Sequence, residues 1–205
     1  MKLYRPVGFK ELDLILNTGN RRFPPRLASQ PIFYPVLNKD YATEIARNWN
    51  TKDSNSGYAG YVTEFEIEDG YISSFETHQV GASRHIELWI PAEELENFNK
   101  YIQQNILIVS AYYGAEYTGK PTINTSLKDR DFKEILIYLC KLRRSSFIDY
   151  TCEVLSQWKI ITQNYFLWRV TDFSELGISS TEKEELLISI KSVLQKNIKW
   201  FIYEP

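Results

Sequence analysis

The spacing of hydrophobic and polar residues changes near residue 117. Before that point short stretches alternate, as in residues 58–67, where Tyr61, Thr63 and Phe65 fall on one side of a predicted strand. After it, apolar residues recur at intervals of three and four, the period of amphipathic helices. The pattern predicts an α+β protein with a mixed sheet domain over residues 1–117 and a mainly helical domain over residues 118–205. Gly119 and Pro121 mark the boundary.

The first part contains short elements separated by clear breaks. The predicted strands span residues 2–6, 31–37, 58–67, 85–90 and 106–112, and the predicted helices span residues 8–18, 41–49 and 92–103. Pro6 is expected to end the first strand, and Pro91 to open the third helix. The prolines at 24 and 25 predict an irregular loop over residues 21–26, and the polar run 50–57 predicts a mobile loop.

The second part is predicted to be helical over most of its length. Ser126 with Asp129 forms a weak capping box before a helix that reaches residue 143, and a second helix covers residues 147–158. The run 160–170 is rich in β-branched and aromatic residues, which leaves a strand open as an alternative. Thr181 with Glu184 is a stronger capping box. It is expected to open a helix over residues 182–197, and a last strand is predicted at 199–203. The positions predicted to face inward on that helix are Leu186, Leu187, Ile190, Val193 and Leu194.

Composition excludes several classes of protein. A formal charge of -2 and a pI near 5.8 argue against a nucleic-acid binder, which normally carries a basic surplus. No apolar run approaches the length that a membrane span requires, so no membrane association is expected. Cys140 and Cys152 are predicted to be reduced, buried thiols, which fits a cytoplasmic protein.

The familiar motifs of catalysis and metal binding are missing. The chain has no phosphate-binding glycine loop, no zinc spacing of cysteine and histidine, and no nucleophile elbow. His78 and His85 are its two histidines. His85 and Glu87 can offer two metal ligands from one strand face, but the sequence indicates no third ligand, and no metal site is predicted.

Three short strands each carry one polar group that can point into a shared cleft. Glu87 lies between apolar residues in the strand near residue 88, Arg5 lies on the first strand, and Tyr34 lies on the second. Ordinary alternatives stay open for each: an ion pair between Arg5 and Glu64 or Glu66, core packing of Tyr34, and a solvent-facing Glu87. Trp89 is expected to belong to the core.

Four stretches of the first part resemble a bacterial family of small ADP-ribosylation/crystallin J1-type proteins, which have an ADP-ribosyltransferase-like fold. The resemblance runs from residue 3 to about residue 110, whereas residues 119–205 resemble no family. The stretches are Leu3-Tyr4-Arg5-Pro6-Val7-Gly8, Phe23-Pro24-Pro25-Arg26-Leu27, Gln30-Pro31-Ile32-Phe33-Tyr34-Pro35-Val36-Leu37-Asn38 with Tyr41-Ala42, and Glu87-Leu88-Trp89-Ile90-Pro91-Ala92-Glu93-Glu94-Leu95.

The resemblance implies roles for particular residues toward NAD as a substrate. Arg5 would hold the NAD phosphates or ribose, and Tyr34 would stack on nicotinamide. Glu87 would be catalytic, binding the ribose 2′-hydroxyl and stabilising the oxocarbenium ion. The remaining residues expected to bind the cofactor are Arg21, Arg22, Arg26 and His85.

The resemblance therefore implies NAD-dependent ADP-ribosyl transfer or NAD cleavage on an unassigned target. His85 stands where arginine-modifying members carry a second Glu or Gln, so the acceptor is left open. The alternative is a catalytically inactive member of the fold that acts as a binding or regulatory module through protein contacts. Under that alternative the helical part would supply a partner surface.

Overall fold

The chain divides into two compact units, each described here by itself. The structure, a computed structural model, describes residues 1–122, 125–198 and 202. The first unit contains residues 1–117 and Ile202, and the second contains the described residues between Thr118 and Ile198. The protein is thus α+β, with small antiparallel sheets in the first unit and helices in the second.

The first unit alternates short strands with short helices. Its strands are β1 Lys2–Val7, β2 Ile32–Phe33, β3 Ala59–Glu66, β4 Thr77–Gln79, β5 Ile86–Leu88, β6 Ile90–Pro91 and β7 Leu107–Tyr113. Its α-helices are α1 Phe9–Asn17, α2 Lys39–Asn48, α3 Asp69–Ile72 and α4 Leu95–Lys100, and 3₁₀ turns occupy Asn50–Lys52 and Ala92–Glu94.

The central sheet has the order β1-β3-β7, and both pairings are antiparallel. Strand β3 lies in the middle, and its residues are buried on both faces from Ala59 to Thr63. Strand β1 continues through Pro6 to Val7, although proline was expected to end it. The N–H of Tyr4 points away from β3 and donates to the Val36 oxygen. Residues two apart on a strand point their N–H groups the same way, so the N–H that Pro6 lacks would also point away from β3. The proline therefore removes no hydrogen bond between β1 and β3.

Helix α2 packs closely against β3. Asn38 caps the helix, its side-chain oxygen accepting from the N–H groups of Asp40 at 2.8 Å and Tyr41 at 3.2 Å. A Cβ at Gly60 would lie 2.1 Å from the backbone oxygen of Ala46, so only glycine allows the helix to approach this closely. The interface is apolar and includes Val36, Tyr41, Ala42, Ala46, Val62 and Val109.

Two predicted elements of the first unit have different forms in the structure. The polar run 50–57 contains a 3₁₀ turn, followed by a turn in which the Asp53 carboxylate accepts from the N–H groups of Asn55 and Ser56 at 3.0 Å. The predicted helix 92–103 is a 3₁₀ turn followed by α4, which ends at Lys100, and Pro91 closes β6 rather than opening the helix.

The described part of the second unit contains four α-helices and a 3₁₀ turn at Ser174–Leu176. The α-helices are α5 Phe132–Ser145, α6 Phe147–Ser156, α7 Trp158–Val170 and α8 Ser180–Ile198. The inward positions predicted for the last helix are confirmed, since Leu186, Leu187, Ile190, Val193 and Leu194 are its buried residues. The indole N–H of Trp168 on α7 donates to the backbone oxygen of Phe132 at 2.7 Å, which ties α7 to the start of α5.

The capping residues of α5 and α8 are not the predicted ones. Helix α5 begins after Asp131, whose carboxylate accepts from the N–H of Glu134 while the Glu134 carboxylate accepts from the Asp131 N–H. Ser126 is outside the helix and instead hydrogen-bonds Glu153. At α8 the hydroxyl that accepts from the Glu182 N–H is that of Ser179, not Thr181.

Residues 160–170 form helix, not strand. Burial extends around much of α7, covering Ile161, Thr162, Gln163, Asn164 and Tyr165 in succession, which alternation on a strand would not produce. The buried Asn164 amide donates to the backbone oxygen of Gly119 at 3.0 Å. Packing on several sides therefore outweighs the local β propensity.

The two cysteines are free thiols on helices, but they differ in exposure. Cys140 on α5 is buried, as predicted, whereas Cys152 on α6 is exposed, so that part of the prediction is wrong. Among the described residues, no helix combines the length and apolar character needed to cross a membrane. The strand predicted at 199–203 lies outside the described residues except for Ile202, which pairs with Ile108.

We expect Asp131→Ala to lower the free energy of unfolding by about 1 kcal/mol, because it removes one side of a reciprocal cap. Asp129→Ala is the matched control, because it removes the same charge from an exposed residue outside the helix, and it should change the free energy of unfolding by less than about 0.5 kcal/mol. Urea denaturation measures both. Equal losses would contradict the assignment of the cap to Asp131.

The thiols should react at very different rates with an aromatic disulfide reagent at pH 8. Burial raises the pKa of Cys140 to about 11, which leaves little thiolate and little access, whereas Cys152 is exposed. Native protein should show one fast thiol, lost in Cys152→Ser and retained in Cys140→Ser. A fast phase that survives Cys152→Ser would refute this assignment.

Candidate functional site

Residues 32–37 and 86–91 form one continuous antiparallel ladder. The register pairs Phe33 with Ile90 and Val36 with Glu87, and between these the Leu88 N–H donates to the Pro35 oxygen at 2.9 Å. The assigned strands β2, β5 and β6 are segments of this ladder. Tyr4 of β1 pairs with Val36, which joins the ladder to the central sheet. Residues opposite one another in such a ladder project on the same face.

The register therefore sorts the candidate residues by face. Tyr34, Val36, Glu87 and Trp89 share one face, and His78 joins them because it pairs with Glu87 across β4 and β5. Tyr34 is 38% exposed and Trp89 is 42% exposed, so the prediction that Trp89 belongs to the core is wrong. We call Tyr34, His78, Glu87 and Trp89 the aromatic face.

The rings of the aromatic face contact one another around Trp89. The His78 ring stacks on the Trp89 ring with centroids 4.2 Å apart. The Tyr34 ring packs edge-to-face with the Trp89 ring, with centroids 6.1 Å apart. The rings of Tyr34 and Trp89 are partly exposed to solvent, and burial in the core does not explain exposed aromatic rings. It offers ring surface beside a carboxylate.

The Glu87 carboxylate is held by one hydrogen bond on each oxygen. The Tyr41 hydroxyl donates to Oε1 at 2.8 Å, and the Trp89 indole N–H donates to Oε2 at 3.1 Å. Burial raises the pKa of Tyr41, and the neighbouring carboxylate of Glu87 raises it further, so the phenol stays protonated as the donor. Each oxygen keeps a free lone pair. The carboxylate is thus oriented while still able to accept from a ligand.

His85 supports this arrangement from the side of α2. Its ring stacks on Tyr41 with centroids 4.2 Å apart, and its Nε2 lies 3.2 Å from the Glu44 carboxylate. Arg84 also donates to Glu44, at 2.9 Å, and the two contacts lower the pKa of that carboxyl. His85 therefore contacts Tyr41 and Glu44, and it positions the hydroxyl that holds Glu87.

Arg5 lies on the opposite face of the sheet from Glu87. It follows Tyr4, which shares the Glu87 face, and its guanidinium lies 4.5 Å from the ring of Phe33 on the other side. Arg5 donates to both Glu11 oxygens, at 2.7 and 3.2 Å, and to the Tyr34 backbone oxygen at 3.1 Å. The structure brings Tyr34 and Glu87 together but does not bring Arg5 to them.

The ion pairs of β1 also differ from the predicted ones. Arg5 was expected to pair with Glu64 or Glu66 if it had a structural role, but its partner is Glu11 on α1. Glu64 pairs instead with Lys2, at 2.9 Å. The pairing with Glu11 spans two elements, β1 and the helix that follows it, and no periodic sequence pattern marks it.

The three loop arginines lie in two different places. Arg26 approaches the Arg5–Glu11 pair, with Nη1 3.9 Å from the nearer Glu11 oxygen. Arg21 and Arg22 are exposed and line a cleft of about 610 Å³ together with Lys100 and the side-chain amides of neighbouring residues. The loop arginines therefore do not meet at a single point.

Tyr41, which holds Glu87, and Glu11, which holds Arg5, were not predicted to carry function. Tyr41 is 4% exposed, and the signal that could have identified it is its hydroxyl, since a buried tyrosine needs a hydrogen-bond partner. No three His, Cys, Asp or Glu side chains gather as metal ligands in the described part of the chain. The pair His85 and Glu87 is thus without a third ligand there.

The chain was compared with protein-family models, with curated proteins and with solved structures, and none of them matches it. The resemblance to ADP-ribosyltransferase-like proteins therefore stays a prediction.

We expect Glu11→Gln to lower the free energy of unfolding by about 3 kcal/mol or more. It removes the carboxylate that Arg5 and Arg26 share, leaving two largely buried guanidinium groups without a counter-charge. Asp40→Asn is the matched control, because Asp40 also lies in the first turn of a helix but is exposed, and it should change stability by less than about 1 kcal/mol. Urea denaturation measures the free energy of unfolding of both variants. A loss below about 1 kcal/mol in Glu11→Gln would contradict a buried ion pair between Arg5 and Glu11.

Proposed function

We propose that the first unit binds NAD on the aromatic face and that Glu87 promotes cleavage of its nicotinamide–ribose bond, with transfer of ADP-ribose to water or to a target. The observation that carries the proposal is the carboxylate of Glu87, oriented by Tyr41 and Trp89 beside exposed ring surface. Tyr34 keeps the role expected from the resemblance, next to nicotinamide. Arg5 does not.

The chemistry of the proposed ligand suits these groups. The nicotinamide ring of NAD is planar and positively charged, so it is attracted to aromatic ring faces and to a nearby carboxylate. Trp89 and Tyr34 provide the ring surface, and Glu87 provides the charge. Van der Waals contact and electrostatic attraction thus act on the same part of the ligand.

The reaction requires stabilisation of a developing cation. Nicotinamide leaves as a neutral molecule with the electron pair of the N-glycosidic bond, and the ribose carbon becomes an oxocarbenium ion. A water or target nucleophile then forms the new bond to that carbon and releases its proton to solvent. An anion fixed in advance near the ribose lowers the barrier, because it need not reorient during the reaction.

A second candidate function is a catalytically inactive binding module that acts through protein contacts. The observation that favours it is the position of Arg5, which lies on the other face and has its donors engaged by Glu11 and by the Tyr34 oxygen. A face with an exposed tryptophan and tyrosine also suits a protein partner, since these residues often anchor interfaces.

The experiment combines calorimetry with NAD and an assay of nicotinamide release. Glu87→Gln keeps a similar shape but removes the charge, so it should bind NAD within a few fold of the wild type and lower turnover by roughly a hundredfold. Glu93→Gln is the control, since Glu93 lies in the nearby 3₁₀ turn outside the aromatic face, and it should leave both measurements unchanged.

The outcomes separate the two candidates. Release that depends on Glu87 supports the enzyme. No binding of NAD by the wild type at millimolar concentration excludes it, and binding without release supports the inactive module.

A further inference from the structure

A guanidinium group without hydrogen bonds is buried next to the Arg5–Glu11 pair. The side chain of Arg26 is 10% exposed, and its Nε is fully buried without a partner. Its nearest acidic oxygen, in Glu11, is 3.9 Å from Nη1, which is beyond hydrogen-bond distance. A buried N–H without an acceptor normally destabilises the fold, because it has lost its hydration and gained no hydrogen bond in return.

The charges around Arg26 do not balance. Glu11 already forms two hydrogen bonds to Arg5, so one carboxylate serves two guanidinium groups and the cluster carries one excess positive charge. Burial lowers the pKa of Arg26, and the charge of Arg5 lowers it further, which is the direction expected of a cation that lacks an anion. One more negative group would bring the net charge of the cluster to zero.

The loop that carries Arg26 is held in place from its other end. The Phe23 ring is buried against Phe33 and Phe65, at 4.9 Å from each. The Asn99 side chain bonds the Phe23 backbone twice, accepting from its N–H at 2.8 Å and donating to its oxygen at 3.0 Å. Pro24 and Pro25 then restrict the two residues between this anchor and Arg26. The unpartnered guanidinium is therefore a fixed feature of the fold rather than a loose side chain.

We infer that Arg26, together with Arg5 and Glu11, forms a binding site for a single oxyanion group. The guanidinium presents paired N–H donors that match two oxygens of a phosphate or a carboxylate. The bound group supplies the missing negative charge and the missing acceptors at once, while Glu11 keeps Arg5 in position. The inference does not depend on NAD cleavage, since a site built on Arg26, Arg5 and Glu11 requires neither the carboxylate of Glu87 nor the ring of Trp89.

The test uses thermal unfolding and calorimetry of the full chain with inorganic phosphate, pyrophosphate and acetate, each at 10 mM and constant ionic strength. At least one of them should raise the Tm of the wild type by about 3 °C, as for a dissociation constant near 1 mM. The anion that acts identifies the group: phosphate and pyrophosphate indicate a phosphorylated ligand, and acetate indicates a carboxylate.

Arg26→Met should abolish the effect of the anion and leave the Tm without anion equal to or above that of the wild type, because it removes an unpaired buried charge. Arg22→Met is the matched control: it removes the same charge from the same loop at an exposed position, and it should keep the response. The wild-type measurement stands even if the Arg26 variant fails to fold. No response of the wild type to any of the three anions overturns the inference, as does an equal response in Arg26→Met. Nicotinamide release is read separately, so the two proposals fail independently.

Discussion

The pairing of residues 32–37 with residues 86–91 is the constraint on which the rest of the first unit depends. Because side chains alternate along a strand, one register decides at once which residues face α2 and which face α1. It sends Glu87 and Trp89 toward the exposed side with Tyr34, and it sends Phe33 and Ile90 into the core. A one-residue shift of residues 86–91 would turn that strand over, burying Glu87 and Trp89 and exposing Ile90. The apolar core therefore fixes the position of the polar groups, and the proposed chemistry follows from the packing.

The same alternation gives the sheet two polar sites of opposite character. On the α2 side a carboxylate is surrounded by aromatic donors, which leaves negative charge near open ring surface. On the other side two guanidinium groups share one carboxylate, which leaves positive charge in a largely buried place. The second arrangement opposes stability if nothing binds, because one carboxylate cannot neutralise two largely buried guanidinium groups. Such departures from local optimisation are expected where a protein has a ligand to recognise.

The sequence alone was informative where one physical effect dominates. The inward positions of α8 follow from period and polarity, and strands were predicted around residues 33 and 88, although their pairing was not. It was less informative where effects compete. Residues 160–170 have strand-like composition but are helical because they are packed on several sides, and the capping residue of α5 is Asp131 rather than Ser126 because two similar signals lie five residues apart. The partner of Arg5 depends on how α1 folds back on β1, a tertiary contact that spacing does not encode. The assignment of the aromatic face required the register, and the roles toward NAD remain predictions.

Gly60 gives the aromatic face a dependence on a residue that lies outside it. The absence of a side chain there lets α2 rest directly on β3, and α2 carries the tyrosine whose hydroxyl holds Glu87. The hydrogen bond between that hydroxyl and the carboxylate tolerates only a few tenths of an ångström of displacement before it weakens. Even a methyl group at residue 60 would lift the helix by more than that. The orientation of the Glu87 carboxylate thus depends on the distance between α2 and β3 at Gly60. A substitution at Gly60 would alter the site by increasing that distance, although Gly60 lies outside the aromatic face.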